Sequence, residues 1–262
     1  MRMRRLRVLT GRHRTPSIDR LLGLLLAFVA GAVNAGGFLV VHLYTSHMTG
    51  FVSMLADNVV LGNMALVLGS IGALLAFVGG AATTAVIVNW SRQHGLHAGF
   101  ALPLLLEAAL LLLFGLVGAT TLNRATPFAV PFTVLLLAFL MGLQNALVSK
   151  VSSSQIRTTH MTGVITDLGI ELGKLVYWNR VGTPTRAHVR ANRTRLGLLT
   201  LLLAMFLSGG IVGALGFKHV GFVWVVPLAA LLFVVSLPPL LRDLIGSGPV
   251  RAMVSRFAAG RR

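Results

Sequence analysis

The chain has 262 residues, 55% of them hydrophobic and 11% charged, whereas a soluble domain is typically about a quarter charged. With a mean hydropathy of +0.84, it has too little polar surface to cover a water-soluble globule. The net charge of +17 does not indicate nucleic-acid binding, because the arginines avoid the apolar runs and crowd into a few connecting segments. With no cysteine, disulfides, thiolate metal sites and thiol catalysis are excluded.

Residues 1–20 form a basic tail, and Leu21–Leu43 is the first run free of Asp, Glu, Lys and Arg. A secretory signal peptide would start similarly. Here the basic region is long, no persuasive small-residue cleavage site follows, and the apolar run recurs with its polar motif in mid-chain. A retained span is therefore expected. Met64–Val88, Phe100–Leu122, Pro127–Ser149, Leu196–Phe217 and Gly221–Leu241 follow, with Glu107 the only charge in any of them. Each is long enough to cross a hydrocarbon core of ~30 Å as a helix, the default where lipid offers backbone groups no partner.

Six spans with a cytoplasmic N-terminus place 21 of the 23 Lys and Arg on the inner side; only Arg124 and Lys218 fall outside. That asymmetry predicts a bacterial inner-membrane protein with both termini cytoplasmic. The lipid bilayer is its first expected partner, with anionic headgroups at the basic loops. Phe51–Asn63 and Val164–Trp178 are helical in period but short and polar, and are expected as re-entrant or interfacial half-helices. Asn179–Arg195 and residues 242–262 read as a solvated basic loop and a basic tail.

Residues 27–50 read AFVAGAVNAGGFLVVHLYTSHMTG, and residues 138–163 read AFLMGLQNALVSKVSSSQIRTTHMTG. Ala-Phe, a Gly, Asn-Ala and His-Met-Thr-Gly recur in order. More faintly, AFVGGAA (76–82) resembles MFLSGGIVGA (205–214). The chain thus divides into halves of three spans, 21–125 and 126–241. Because three is odd, the second half enters the membrane from the opposite side. This inverted-topology repeat is a device of many secondary transporters, whose sites lie near the midplane at broken helices. The other reading is a duplication retained for packing.

GLQNA (142–146), TSHMTG (45–50) and TTHMTGVITDLG (158–169) resemble the paired signatures of the YoaK-like family of uncharacterised bacterial inner-membrane proteins. The resemblance covers nearly the whole chain and implies an integral membrane protein without assigning a substrate. Such proteins usually carry Asp where this chain has Asn34, and Thr-Gly-Asn where it has Thr49, Gly50 and Phe51. Any family role that needs a carboxylate in the first span is not carried over here.

Glu107 is the sharpest chemical signal. An ionised carboxylate costs several kcal/mol in lipid, so it must face the bundle interior, find a partner or carry a proton. Its functional reading is a proton-coupling or substrate-binding group; its structural reading is a hydrogen-bonded interhelical contact. Asn34 and Asn145, with Gln144 beside the latter, either line a site or join helices. In His47-Met48-Thr49-Gly50 and His160-Met161-Thr162-Gly163, Gly permits a break and Thr can cap the helix that follows. Asp57, Asp167 and Glu171 lie on the short helices, where Asp167 and Glu171 share a face and Glu171 also has Lys174 in reach.

No close-spaced ligand pair points to a metal, no cofactor motif is present, and HExxH, GxSxG, Walker A and GxGxxG motifs are missing. The expected molecule is an all-α bundle of six spans, a secondary transporter of a small molecule or ion. Its expected pathway is lined by Asn34, Glu107, Gln144, Asn145 and the two HMTG segments. The alternatives are a scaffold or sensor, or an intramembrane enzyme using Glu107 and the two histidines.

Overall fold

The computed structural model describes residues 16–96, 98–121, 129–152, 158–179 and 188–246. Most of the two basic tails, and the loop stretch 180–187, lie outside the described residues. The described chain is helical: α1 (Pro16–Val41), α2 (Met48–Leu61), α3 (Met64–Gln93), α4 (Ala101–Thr121), α5 (Ala129–Val151), α6 (Met161–Val176), α7 (Arg193–His219) and α8 (Val225–Gly246). One 3-10 turn, Gly221–Trp224, joins α7 to α8.

Six of these helices, α1, α3, α4, α5, α7 and α8, are long and apolar enough to cross a membrane. Each corresponds to one span expected from the sequence. Several run a few residues further than the apolar stretch, α3 as far as Gln93. Hydropathy falls at the polar boundary, but the backbone ladder continues until another hydrogen-bond partner appears.

α1 and α5 are the most enclosed helices. The main core gathers Leu22, Leu26 and Val29 from α1, Leu104 and Leu111 from α4, Leu137, Leu140 and Leu147 from α5, and Leu232 from α8. α3 and α7 turn Leu68, Leu75, Val78, Leu207, Ile211 and Leu215 outward. In water such rows would drive association; against lipid tails they match the solvent.

The closest packing occurs at two helix crossings, α1 on α7 and α3 on α5. Each carries Phe-x-x-Gly on both partners. A side chain at Gly31 would strike the carbonyl of Phe206, and one at Gly209 the carbonyl of Phe28. The same holds for Gly80 against Phe139 and Gly142 against Phe77. Glycine is needed here for close backbone approach, as in other small-residue helix contacts in membranes. At the second crossing the Thr84 hydroxyl also donates to the Leu143 carbonyl at 2.9 Å. α4 packs on α8, while α2 lies on α3 and α6 on α7.

Contacts near the helix termini show which ends lie together. The amide of Ala98, just before α4, donates to Asp243 near the end of α8 at 2.7 Å. Lys150 near the end of α5 reaches Asn89 near the end of α3 at 3.4 Å. Arg20, in the first turns of α1, shares a cleft with Thr194 and Arg195 at the start of α7. The start of α4 thus lies beside the end of α8, the end of α5 beside the end of α3, and the start of α1 beside the start of α7.

The short helices begin earlier than the sequence suggests, at Met48 and Met161 rather than Phe51 and Val164. His47 and His160 are the N-cap residues, and neither makes a side-chain cap bond. Thr49, Gly50, Thr162 and Gly163 thus sit in the first helical turn, where Thr does not cap and Gly does not break the chain. α2 stops at Gly62, whose left-handed φ of 74° ends the helix with its N–H on the Asn58 carbonyl.

Candidate functional site

The residues singled out in the sequence fall into three groups. Glu107 (α4) and Gln144 (α5), both fully buried, form the first. The Gln144 amide donates to one Glu107 oxygen at 2.8 Å and, more loosely, to the Leu26 carbonyl of α1 at 3.4 Å. The pair thus joins three helices. The other Glu107 oxygen and the Gln144 carbonyl oxygen are enclosed without a partner. Leaving such atoms unpaired in an apolar core costs about 1–3 kcal/mol each.

The second group is a pair of matched bonds. Asn34 accepts from the Ser46 hydroxyl at 2.8 Å, and Asn145 accepts from the Thr159 hydroxyl. Ser46 and Thr159 each stand one residue before an HMTG motif, so each asparagine ties its long helix to the segment that opens the following short helix. Thr45 and Thr158, one residue earlier still, are both fully buried with an unpartnered hydroxyl oxygen. The sequence reading gave the asparagines site-lining or helix-joining roles but missed these hydroxyls. Aligning TSHMTG with TTHMTG brings them out. Gly36 leaves room for the Phe217 ring, which a side chain there would overlap.

The third group surrounds the second HMTG motif. A cleft of about 720 Å³ is lined by Arg20, by His160, Thr162, Gly163, Thr166 and Asp167, and by Asn192, Thr194 and Arg195, with Leu198, Leu199 and Leu202 as its apolar floor. Arg195 pairs with Asp167 at 2.9 Å and approaches Glu171 at 3.9 Å. Glu171, enclosed on α6, accepts from the Asn192 amide at 2.8 Å and from Lys174 at 2.9 Å. The Asn192 N–H, then the Lys174 ammonium, hold its carboxyl below the usual range. Arg20, Thr194 and Arg195 carried no signal of their own, being submerged in the basic stretches that set the topology.

The first HMTG motif is different. His47 and Thr49 are exposed, as are His160 and Thr162, and so is Asp57; the difference is that a side chain at Gly50 would press on the His47 ring at 2.7 Å, whereas one at Gly163 would meet nothing within 4 Å. Phe51, which corresponds to Val164, is buried in a cluster with Ala73, Val134 and Ala138. Counted from the motif, Asn58 takes the place of Glu171. It accepts from the side chain of Asn63, the N-cap of α3, at 3.1 Å, much as Glu171 binds Asn192, the N-cap of α7.

Six membrane-length apolar helices, with polar groups enclosed among them, define an integral, multi-pass helical membrane protein. The chain belongs to the family described as protein of unknown function (DUF1275), whose profile matches residues 22–237. It is similar to the UPF0700 transmembrane protein YoaK of Bacillus subtilis (strain 168), with 26% identity over 193 residues, 73% of this chain and 80% of that protein. No solved structure gives a significant match.

Proposed function

We propose that the protein is a secondary transporter of a small molecule, built from two inverted three-helix repeats, residues 21–125 and 126–241, in the bacterial cytoplasmic membrane with both termini inside. The observation that carries this reading is the reciprocal exchange of helices. The first helix of each half packs on the middle long helix of the other, at crossings that use the same Phe-x-x-Gly pattern. Two mixed pairs result, α1 with α7 and α3 with α5. Glycine-lined pairs of this kind can act as the rigid bodies that rock in alternating access. Glu107 and Gln144 lie where α1, α4 and α5 meet, and the loose Gln144–Leu26 contact at 3.4 Å is the link a rocking motion would open first. A proton on Glu107 is then the coupling ion.

A second reading, a non-transporting scaffold or sensor, is favoured by one observation: Glu107 and Gln144 are fully enclosed. Uptake decides between the two. Vesicles containing the purified protein are given an inward proton gradient and tested with labelled small anions, cations and neutral solutes. The transport reading expects gradient-driven accumulation of at least one class, with the pH dependence lost in Glu107→Gln, which keeps the size and the hydrogen bond but cannot titrate. Accumulation of none by correctly folded protein would leave the scaffold reading. Orientation is tested separately with an impermeant thiol reagent on intact cells: Lys218→Cys should label and Arg190→Cys should not.

A further inference from the structure

We propose that the cleft between α1, α6 and α7 is a binding site for a small oxyanion of the phosphate or carboxylate class. As the cargo class of the proposed transporter it rests on that reading, but binding alone can be measured without transport.

The cleft has the volume of a small-molecule site, about 720 Å³, within the usual range of roughly 300–1,000 Å³. Its charged lining favours an anion. Arg20 and Arg195, with the hydroxyls of Thr162 and Thr194, face it against a single carboxylate, Asp167, which is engaged by Arg195 at 2.9 Å, while the Thr166 hydroxyl is spent on the Thr162 carbonyl. Glu171, just behind the wall, is held by Lys174, the Asn192 amide and Arg195. No lining carboxylate is left over for a cationic ligand. Arg20, in contrast, has no ion pair among the described residues, and its planar fork suits an oxyanion.

The surroundings point the same way. Arg193, next in sequence to the lining Thr194, adds to the positive charge of Arg20 and Arg195, a field that concentrates anions. Over the first turn of α6 the space is open, since a side chain at Gly163 would meet nothing within 4 Å. The uncapped amides of that turn add donors to those of the side chains. At the other motif Phe51 fills the corresponding position, so the site belongs to one half only.

The same chemistry is offered by a free oxyanion and by the phosphate of an anionic lipid headgroup, and two arms separate them. In the first, full-length protein in nanodiscs of zwitterionic lipid is titrated with radiolabelled inorganic phosphate. One equivalent should bind, and Arg20→Gln, at an exposed position that does not threaten folding, should weaken binding at least tenfold. Val164→Phe, which transplants the aromatic of the first motif, should abolish it. In the second, native mass spectrometry counts phosphatidylglycerol retained from mixed-lipid discs by wild type and Arg20→Gln. Selective retention by wild type, with phosphate inert, would make the headgroup the ligand. The proposal is overturned if neither phosphate nor phosphatidylglycerol distinguishes wild type from Arg20→Gln. Phosphate binding by a protein that accumulates no solute would overturn the transport reading and leave the site standing.

Discussion

The two HMTG segments open equivalent short helices, and each is preceded by a hydroxyl bonded to an asparagine, yet their surroundings differ. Around the first, Phe51 is buried among Ala73, Val134 and Ala138 and the space is filled. Around the second, Val164 is the smaller occupant, and the neighbouring positions carry Asp167, Glu171 and, across the cleft, Arg20 and Arg195. On the proposed repeat, the two halves share a frame while the chemistry is one-sided. The frame consists of glycine crossings, asparagine–hydroxyl ties and links from short helix to N-cap.

The largest expected effect tests whether the frame is truly shared. Gly209→Leu and Gly80→Leu each drive a side chain into a backbone carbonyl, of Phe28 and Phe139 respectively, where the neighbour cannot rotate away. Each should cost about 3 kcal/mol or more, read as loss of monodisperse protein or a collapse of the melting temperature in detergent. Gly69→Leu on the open face of α3, where nothing lies within 4 Å, should stay within about 0.5 kcal/mol of wild type. A large loss at one crossing and none at the other would break the equivalence.

The filled space comes next. Phe51→Val empties an aromatic from a buried apolar cluster and should cost about 2 kcal/mol. It should not create an anion site, because the first half has Met54, Asn58 and Leu66 where the second has charged groups. Phosphate binding gained by Phe51→Val would mean that shape alone, and not charge, separates the halves.

The smallest effect concerns Asn58 against Glu171. The Glu171 carboxyl is held below its ordinary value by the Asn192 N–H and by Lys174. Its contribution is therefore complete above the unfolded value near ~4.3 and is lost as pH falls through the lowered folded value. Melting temperatures measured from pH 7 down to pH 3 should fall more steeply for wild type than for Glu171→Gln, while Asn58→Ala should lower the curve without changing its slope. Parallel wild-type and Glu171→Gln curves would remove the acid-sensitive tether.

Much of this is legible in the sequence. Leu21–Leu43 and its successors read as spans because apolar length is a one-dimensional property, and lipid leaves a helix as the way to satisfy the backbone. The doubled HMTG and Asn-Ala motifs gave the site candidates as types and in pairs. Less legible was the meaning of Phe-x-x-Gly: it appeared as part of a repeat, whereas at Phe28, Phe77, Phe139 and Phe206 it marks the points where backbones touch.

The sequence by itself determined the number of spans, the residue classes inside them and the charge asymmetry, since each follows from composition along a line and from the solvent around it. Which helix meets which was decided only in three dimensions. α1 chose α7 and α3 chose α5 because glycines some 180 and 60 residues apart allow close contact, and no local pattern encodes a partner. The fate of the polar residues followed. Glu107 met Gln144 in the core, the two asparagines met hydroxyls beyond the ends of their helices, and Arg20 came to share a cleft with Thr162 and Arg195. Side chains distant in sequence share a site only after packing has paid the entropy of bringing them together.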